Sequence, residues 1–374
     1  MFCISLQKIE LPYTKIYTMK LLLFLTCLLC TQSICKAQST FYKQFEGKLN
    51  GKTLRMTLIK APSKDNPEYN IRGSAFYVGT PQTLYLTNGT LDEAGNLYME
   101  EGVYKQDNTQ FDQAIFAKTG IWLASYSAEK NQIIGTWASA NNRQNYNFVL
   151  QEDYNNGAIP VDLVFNDTNY EGASIRFHYP RFKQHPQAEK LNQYIKTKVL
   201  GDMSKKITNF MEDYKKASSG GGMVDDFSSK NVLYVGLNDS QVITLRYLQE
   251  ENTGVSHGSK TIKHENINLR NGEMITLQDI FMDKFETELT KIVEQQLRHD
   301  FQITATESLT DYGFSLPAGK FGLNKNFYIK RDGIGFFYNM NEIASYAVGA
   351  VDIFLPFEKI KHLIKKEGVL KAFL

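Results

Sequence analysis

Histidine is the side chain best suited to exchange protons near neutral pH or to hold a metal ion. The chain has six: His178, His185, His257, His264, His299 and His362. None falls in a His-x-x-x-His or Glu-x-x-His spacing that would set two ligands on one helix face, so no metal site and no cofactor is expected. His257 and His264 are seven apart, which turns them to opposite faces of any continuous strand. His257, in Ser256-His257-Gly258, has two readings. It is a ligand contact or general base, or it is a strand-entry histidine whose glycine neighbour permits a tight turn. The paired acids Glu100-Glu101, Asp225-Asp226 and Glu250-Glu251 are adjacent, so a strand would send each pair to opposite sides, a poor geometry for joint acid–base work. No serine nucleophile is expected. Ser218 to Gly222 follows a helical segment, and no Gly-Lys-Ser/Thr triplet comes after it, so it reads as a linker and not as a phosphate loop. The segment Tyr338 to Tyr346 mixes aromatic, amide and acid groups in an expected loop. It is either a recognition surface or a loop whose Tyr346 packs on a sheet. The candidate binding residues are therefore His257, Gly258, Tyr338, Glu342 and Tyr346, with no catalytic residue assigned.

Two kinds of sequence must position these groups. From Phe41 to Glu152, short alternating segments are broken by turns at Asn50-Gly51, Asn88-Gly89 and Glu93 to Asn96. About nine strands result, with Phe111 to Phe116 and Gly120 to Ser125 counted separately and no helical period. An all-β antiparallel barrel or sandwich over residues 38–152 is expected. Residues 153–158, polar and turn-prone, read as a linker. From Ile159 the grammar changes. A strand at Ala173 to Tyr179 precedes a long helix opened by Pro186, with Leu191, Ile195, Val199, Met203, Ile207, Phe210 and Tyr214 along one face. Strands at Val232 to Leu237, Gln241 to Gln249 and Lys260 to Leu269 follow. Asp283, with Glu286 as capping-box partner, should start a second helix carrying Leu289, Ile292, Val293 and Leu297. A strand pair meets at Arg331-Asp332-Gly333, Val351 to Leu355 is a last strand, and Pro356 opens a final helix. Residues 159–374 thus read as α+β, with two long helices on one face of an antiparallel sheet.

The N-terminus reads as an address. Met19 to Ala37 has Lys20, the apolar run Leu21 to Leu29 and the small residues of a cleavage site, with cleavage expected between Ala37 and Gln38 and Met19 as the true start. All four cysteines, Cys3, Cys27, Cys30 and Cys35, precede that point, so the exported chain is expected to have no disulfide, thiolate ligand or thiol nucleophile. Leu29 and Ile34, the residues before Cys30 and Cys35, suit lipidation poorly. Across 374 residues there are 42 Lys and Arg against 40 Asp and Glu. That balance gives no electrostatic case for nucleic acid or an anionic membrane as the main partner. The apolar run near the N-terminus is the only one, which excludes a multi-spanning membrane protein and leaves no transmembrane segment in the mature chain. With 21 Tyr and 24 Phe, the chain is aromatic-rich, as β structure and binding surfaces are.

Two stretches of the C-terminal half carry a resemblance. One is Gly254-Val255-Ser256-His257-Gly258, continuing through Asn266-Ile267-Asn268-Leu269 to Asn271 and Phe281. The other is Phe327-Tyr328-Ile329 to Asp332-Gly333-Ile334-Gly335-Phe336-Phe337-Tyr338, then Glu342-Ile343-Ala344 and Tyr346 to Gly349. Together, over about Asn169 to Lys365, they resemble the domain-of-unknown-function family found as the extracellular part of RsiV-type, lysozyme-sensing anti-sigma factors and beside the catalytic domain of PdaC-type peptidoglycan deacetylases. Ser256 stands where that family has Ala. The anti-sigma factor's membrane helix and the deacetylase's catalytic domain are both missing, so the resemblance implies a location outside the membrane and a binding role. The N-terminal strand pattern resembles lipocalin-like barrels. The expectation is a secreted or periplasmic, non-enzymatic binding protein of the bacterial cell envelope, outer-membrane association being one version. Its partner would be a protein such as lysozyme or an envelope glycan such as peptidoglycan. The alternatives are an envelope-polymer hydrolase using His257 and Glu342, and a small-ligand or lipid carrier using the barrel interior.

Overall fold

The computed structural model describes residues 40–62, 68–106, 114–219, 227–254, 258–316 and 319–374. The segment expected as a signal sequence, the four cysteines and His257 lie outside them. Strands β1 (Phe41–Leu49), β2 (Lys52–Lys60), β3 (Ile71–Tyr77), β4 (Leu84–Leu91), β5 (Asn96–Gln106), β6 (Ala114–Ser127), β7 (Gln132–Ser139) and β8 (Asn145–Glu152) each pair antiparallel with the next. β8 returns to β1 through Phe45↔Glu152 to Lys48↔Val149, which closes an eight-stranded barrel. The alternation read from the sequence sets its two faces: Leu54, Met56 and Leu58 point into the core, while Arg55, Thr57 and Ile59 point out. Side chains fill the interior. Trp122, Phe45, Met56, Met99 and Leu86 are buried to 2% exposure or less, and Trp122 meets Phe148 edge-on at 4.8 Å.

The barrel differs from the expected nine strands at two places. Of the stretches Phe111–Phe116 and Gly120–Ser125, expected as two strands, residues 111–113 lie outside the described residues and the rest belong to a single β6, in which Thr119 bulges opposite Glu101 and Gly102 of β5. Asn88-Gly89 is no turn. It is a bulge inside β4, with Asn88 at φ 47° and the pairing slipping between Thr87 and Thr90. Asn50-Gly51 turns the chain as expected, both residues having positive φ.

The sheet does not end with the barrel. β9 (Val161–Tyr170) joins β1 at Tyr42↔Val161 and is followed by β10 (Ala173–Phe182), β11 (Phe227–Asp239), β12 (Val242–Asn252), β13 (Ser259–Asn268) and the short β14 (Glu273–Met274). The residues expected as a linker are tied down. Asn156 donates to Asp239 at 3.1 Å and to Gln44 at 3.3 Å. β10 and β11 are parallel, and the helical crossover between them supplies the connection such a pair needs. That crossover was read as one helix. It is α1 (Ala188–Tyr194), a π-helical stretch Ile195–Leu200, a break at Gly201 (φ 67°) and α2 (Met203–Ser219). Its apolar face covers one side of the sheet, where Leu191, Ile195 and Leu200 pack on Ile175, Ile243 and Ile267.

The other side of the sheet carries a three-stranded antiparallel layer, β15 (Phe327–Lys330), β16 (Gly333–Tyr338) and β17 (Val351–Pro356). Helices α3 (Leu277–Ile280), α4 (Glu286–Asp300) and α5 (Phe357–Ile360) lie in this region. Leu289, Val293 and Leu297 of α4 join the core beneath the layer. α4 begins without a side-chain cap; the expected Asp283 box is absent, and the capping box forms instead at Thr276 and Asp279 ahead of α3. The two layers are locked by Asn266. Its Oδ1 accepts from the Ile329 backbone at 3.0 Å and from Thr244 Oγ1 at 2.9 Å, and its Nδ2 donates to the Phe327 carbonyl at 2.8 Å. Because Asn266 is buried, these bonds are costly to lose and fix the hairpin of β15 and β16 against the sheet.

Candidate functional site

Where the outer wall of the barrel meets the α+β region, a cleft of about 410 Å³ remains. Its barrel side is made by the outward residues of β1 to β4, among them Glu46, Arg55, Ser74, Phe76 and Tyr85. These positions alternate with the residues that fill the barrel, so core packing sets their direction. The opposite side comes from Arg246 on β12, His264 on β13, and Tyr328, Lys330, Arg331 and Asp352 of the three-stranded layer.

One end is held by Asp239, which is 3% exposed. It accepts from Arg331 at 2.5 Å, from Arg55 at 3.5 Å, from Asn156 at 3.1 Å and from Ser240 at 3.1 Å. Arg55 also donates to Glu46 at 2.7 Å. The Arg331 guanidinium lies 3.5 Å from the centre of the Phe76 ring, a cation–π contact across the cleft's end. This network joins the barrel to the α+β region.

Further along sits His264, paired across strands with Arg246. Its ring is 4.8 Å from that of Tyr328 and 5.6 Å from that of Phe337, and its Nδ1 is 3.3 Å from Asn326 Oδ1. Burial pushes its pKa down to about 4, with Arg246 and Lys330 adding to the effect, so the ring is neutral at neutral pH. Tyr328 donates to Asp352 Oδ1 at 2.8 Å, and burial raises the pKa of both groups. The Tyr328 ring lies over Gly335 on the paired strand; a Cβ there would come within 2.0 Å of it, so this glycine makes the ring's position possible. The Lys330 ammonium stands 5.3 Å from the Tyr328 ring and 5.1 Å from that of Phe354. Among the described residues, His264 has no hydrogen bond to an acid and no group of His, Cys, Asp and Glu is arranged to hold a metal.

A second buried acid lies inside the barrel. Glu101, 3% exposed, accepts from Thr119 Oγ1 at 2.7 Å, from Trp122 Nε1 at 3.0 Å and from Trp137 Nε1 at 3.1 Å. The Trp137 indole packs on Gly120, where a Cβ would lie 2.4 Å from Nε1. Burial raises the pKa of Glu101 and pushes that of nearby Tyr77 up to about 12, the Glu101 charge adding to the latter.

The residues chosen from sequence lie elsewhere. Tyr338 is buried in the core of the three-stranded layer and donates to the Gly322 carbonyl at 2.9 Å. Glu342 closes its own loop, accepting from the Asn339 backbone at 2.9 Å and from Asn324 at 3.1 Å. Tyr346 is 58% exposed. Gly258 leads into β13, and His257 lies outside the described residues. None of the four described residues lines the cleft. Gly254 to Gly258 does spell Gly-x-Ser-x-Gly, a point against the expectation of no serine nucleophile. However, it links β12 to the antiparallel β13, whereas a nucleophile elbow needs a strand-to-helix turn. The sequence did hold one unused signal for the cleft: in Val242 to Leu248, Arg246 is the one charged residue, set among apolar neighbours on a strand buried on both faces.

Comparison with known proteins bears on the side of the cleft opposite the barrel. Residues 278–358, which include Tyr328, Lys330, Arg331 and Asp352, match the model of a protein family of unknown function, DUF3298. Two solved structures of that family are similar. One, from Bacteroides fragilis, is 24% identical, with 59% of this chain and 99% of that chain covered at a TM-score of 0.49. The other, from Pseudomonas aeruginosa, is 13% identical, with 56% and 96% covered at 0.44. No curated protein matches the chain.

Proposed function

We propose that this is an exported, non-enzymatic binding protein of the bacterial cell envelope, related to the extracellular domains of RsiV-type and PdaC-type proteins, and that the cleft is its ligand site. The observation that carries this reading is the cleft itself: a preformed hollow of about 410 Å³ lined by the rings of Tyr85, Tyr328 and Phe337 beside charged and amide groups. Its size is that of small-ligand sites, and flat rings next to hydrogen-bonding groups suit a sugar, which has apolar C–H faces and polar edges. A whole protein partner such as lysozyme needs about 800 Å² of surface per side, so the occupant favoured here is a glycan fragment. The Met19 to Ala37 segment supports export. Among the described residues, no helix is long and apolar enough to cross a membrane.

The test is binding of soluble peptidoglycan fragments and of lysozyme to the full chain, with Ser74→Trp to fill the cleft from the barrel side. Saturable fragment binding that Ser74→Trp abolishes, with melting unchanged, is the expected result. Fragment binding that survives the filled cleft, or binding of lysozyme alone, would sink the assignment of the site. Release of new reducing ends from the fragments would overturn the non-enzymatic reading.

A further inference from the structure

The four cations of the cleft are not equivalent. Arg55 and Arg331 are neutralised by Glu46 and Asp239. The side chains of Arg246 and Lys330 are in no ion pair and make no hydrogen bond among the described residues. Each is instead placed by rings, Lys330 by Tyr328 and Phe354, and Arg246 by Tyr234 at 5.8 Å. Both act electrostatically on the same two groups, His264 and Asp352, so their positive potential falls on one stretch of the cleft. A third unmet donor belongs to this wall: Nε of Arg331 is buried with no hydrogen-bond partner. The acid that faces these cations, Asp352, has one oxygen taken by the Tyr328 hydroxyl. Burial raises its pKa, as it does that of Asp332, which Lys330 also reaches electrostatically.

We propose that Arg246 and Lys330 form an anion subsite, and that the natural ligand is an acidic sugar whose negatively charged oxygens lie between them while its ring lies against the aromatic faces. This rests on the glycan-binding reading above and specifies the chemistry of the ligand. Arg246 is half-buried and Lys330 is exposed, so what the subsite adds over a lone surface lysine is two ring-positioned cations converging on one anionic oxygen group.

Calorimetric titration of the full chain with three probes tests it: N-acetylglucosamine, N-acetylmuramic acid, which adds a carboxylate to the same ring, and N-acetylglucosamine 6-phosphate. The expected result is at least tenfold tighter binding of an acidic sugar than of the neutral one. That preference should be lost in Arg246→Gln/Lys330→Gln with melting preserved. The two acidic probes identify the source of the charge, since the better one names carboxylate or phosphate. Equal affinity for all three sugars, or a preference that the double variant keeps, overturns the anion subsite while the cleft remains a glycan site. Absence of binding by every probe, and of peptidoglycan fragments as well, removes both readings.

Discussion

The barrel interior and the cleft each bury an acid, and they satisfy it in opposite ways. Inside the barrel, Glu101 meets three neutral donors, two indole N–H groups and a hydroxyl, and no cation. In the cleft, Asp239 meets two guanidinium groups, and two further cations remain without a carboxylate. The first arrangement is closed: each group is used, with Trp122 fully buried and Thr119 and Trp137 half-buried around the acid. The second has donors to spare, in a hollow large enough for a small molecule. A closed network is what specifying a core requires. Unmet donors in a preformed cavity are what binding requires.

The largest effect that would sharpen this contrast comes from Asp239→Ala. It strands two guanidinium groups where the barrel joins the α+β region, and removing one partner of a buried charge pair costs about 4 kcal/mol. Denaturant unfolding of the variant should show that loss; a change below about 1 kcal/mol would mean that Arg55 and Arg331 are solvated and that the network is not what joins the two regions.

Next in size is an acid sensitivity that belongs to the cleft. The unfolded His264 has a pKa near 6.5 and the folded one about 4. Above pH 6.5 neither state is protonated there and stability is complete. Between 6.5 and 4 the unfolded chain takes up a proton that the folded protein refuses, so stability falls as pH falls. The full loss approaches about 3 kcal/mol. In His264→Gln this component of the slope should vanish when unfolding midpoints are compared at pH 7 and pH 4.5. An unchanged slope would place the acid sensitivity at another group.

The barrel acid should respond differently to two substitutions. Glu101→Ala leaves both indole N–H groups without an acceptor and costs about 2 kcal/mol. Glu101→Gln keeps an oxygen for the indoles and turns its amide toward the Thr119 hydroxyl, which can accept. It also removes a charge that burial opposes, so it should be neutral or mildly stabilising at pH 7. If Glu101→Gln proves as damaging as Glu101→Ala, the negative charge itself is needed and the barrel is less self-contained than its hydrogen bonds suggest.

Much of the scaffold for this contrast was legible in the sequence. Period-two alternation marked most of the barrel strands, and the Asn50-Gly51 hairpin, the β15–β16 pair and the α+β character of the second half all follow from local pattern. Three features were not legible because their causes are non-local. β6 continues through Lys118-Thr119-Gly120 because Thr119 bulges out of its pairing with β5. The choice of barrel over sandwich, which the sequence pattern left open, depends on β8 finding β1 a hundred residues away. β9 was passed over because its second half is polar. The cleft suffered the same way. Tyr338 and Glu342 looked like recognition groups by composition, yet one faces the core and the other caps a turn, while Tyr328, two residues from the hairpin turn, was the aromatic that the sheet directs to the cleft. Composition told that the segment held polar and aromatic groups; the register of β15 against β16 decided which of them face the hollow.

The smallest effect offers the finest separation of structural and binding roles within the cleft. Tyr328→Phe keeps the ring over Gly335 and under the Lys330 ammonium and deletes the donor to Asp352. The ring contacts should hold, so the loss is that of one buried hydrogen bond to a carboxylate, about 1 kcal/mol at pH 7. Its pH dependence has a definite sign. Asp352 has a folded pKa raised above its ordinary 3.8, so acid relieves the buried charge that the hydroxyl helps to hold. The cost of Tyr328→Phe should therefore shrink as pH falls through that raised value, the opposite trend to the His264 component. If the variant melts as predicted and still binds acidic fragments, the hydroxyl belongs to the scaffold and the cations alone face the ligand. If it melts like the parent but loses binding, the hydroxyl is itself a ligand contact, and the cleft has one more donor than its resting hydrogen bonds reveal.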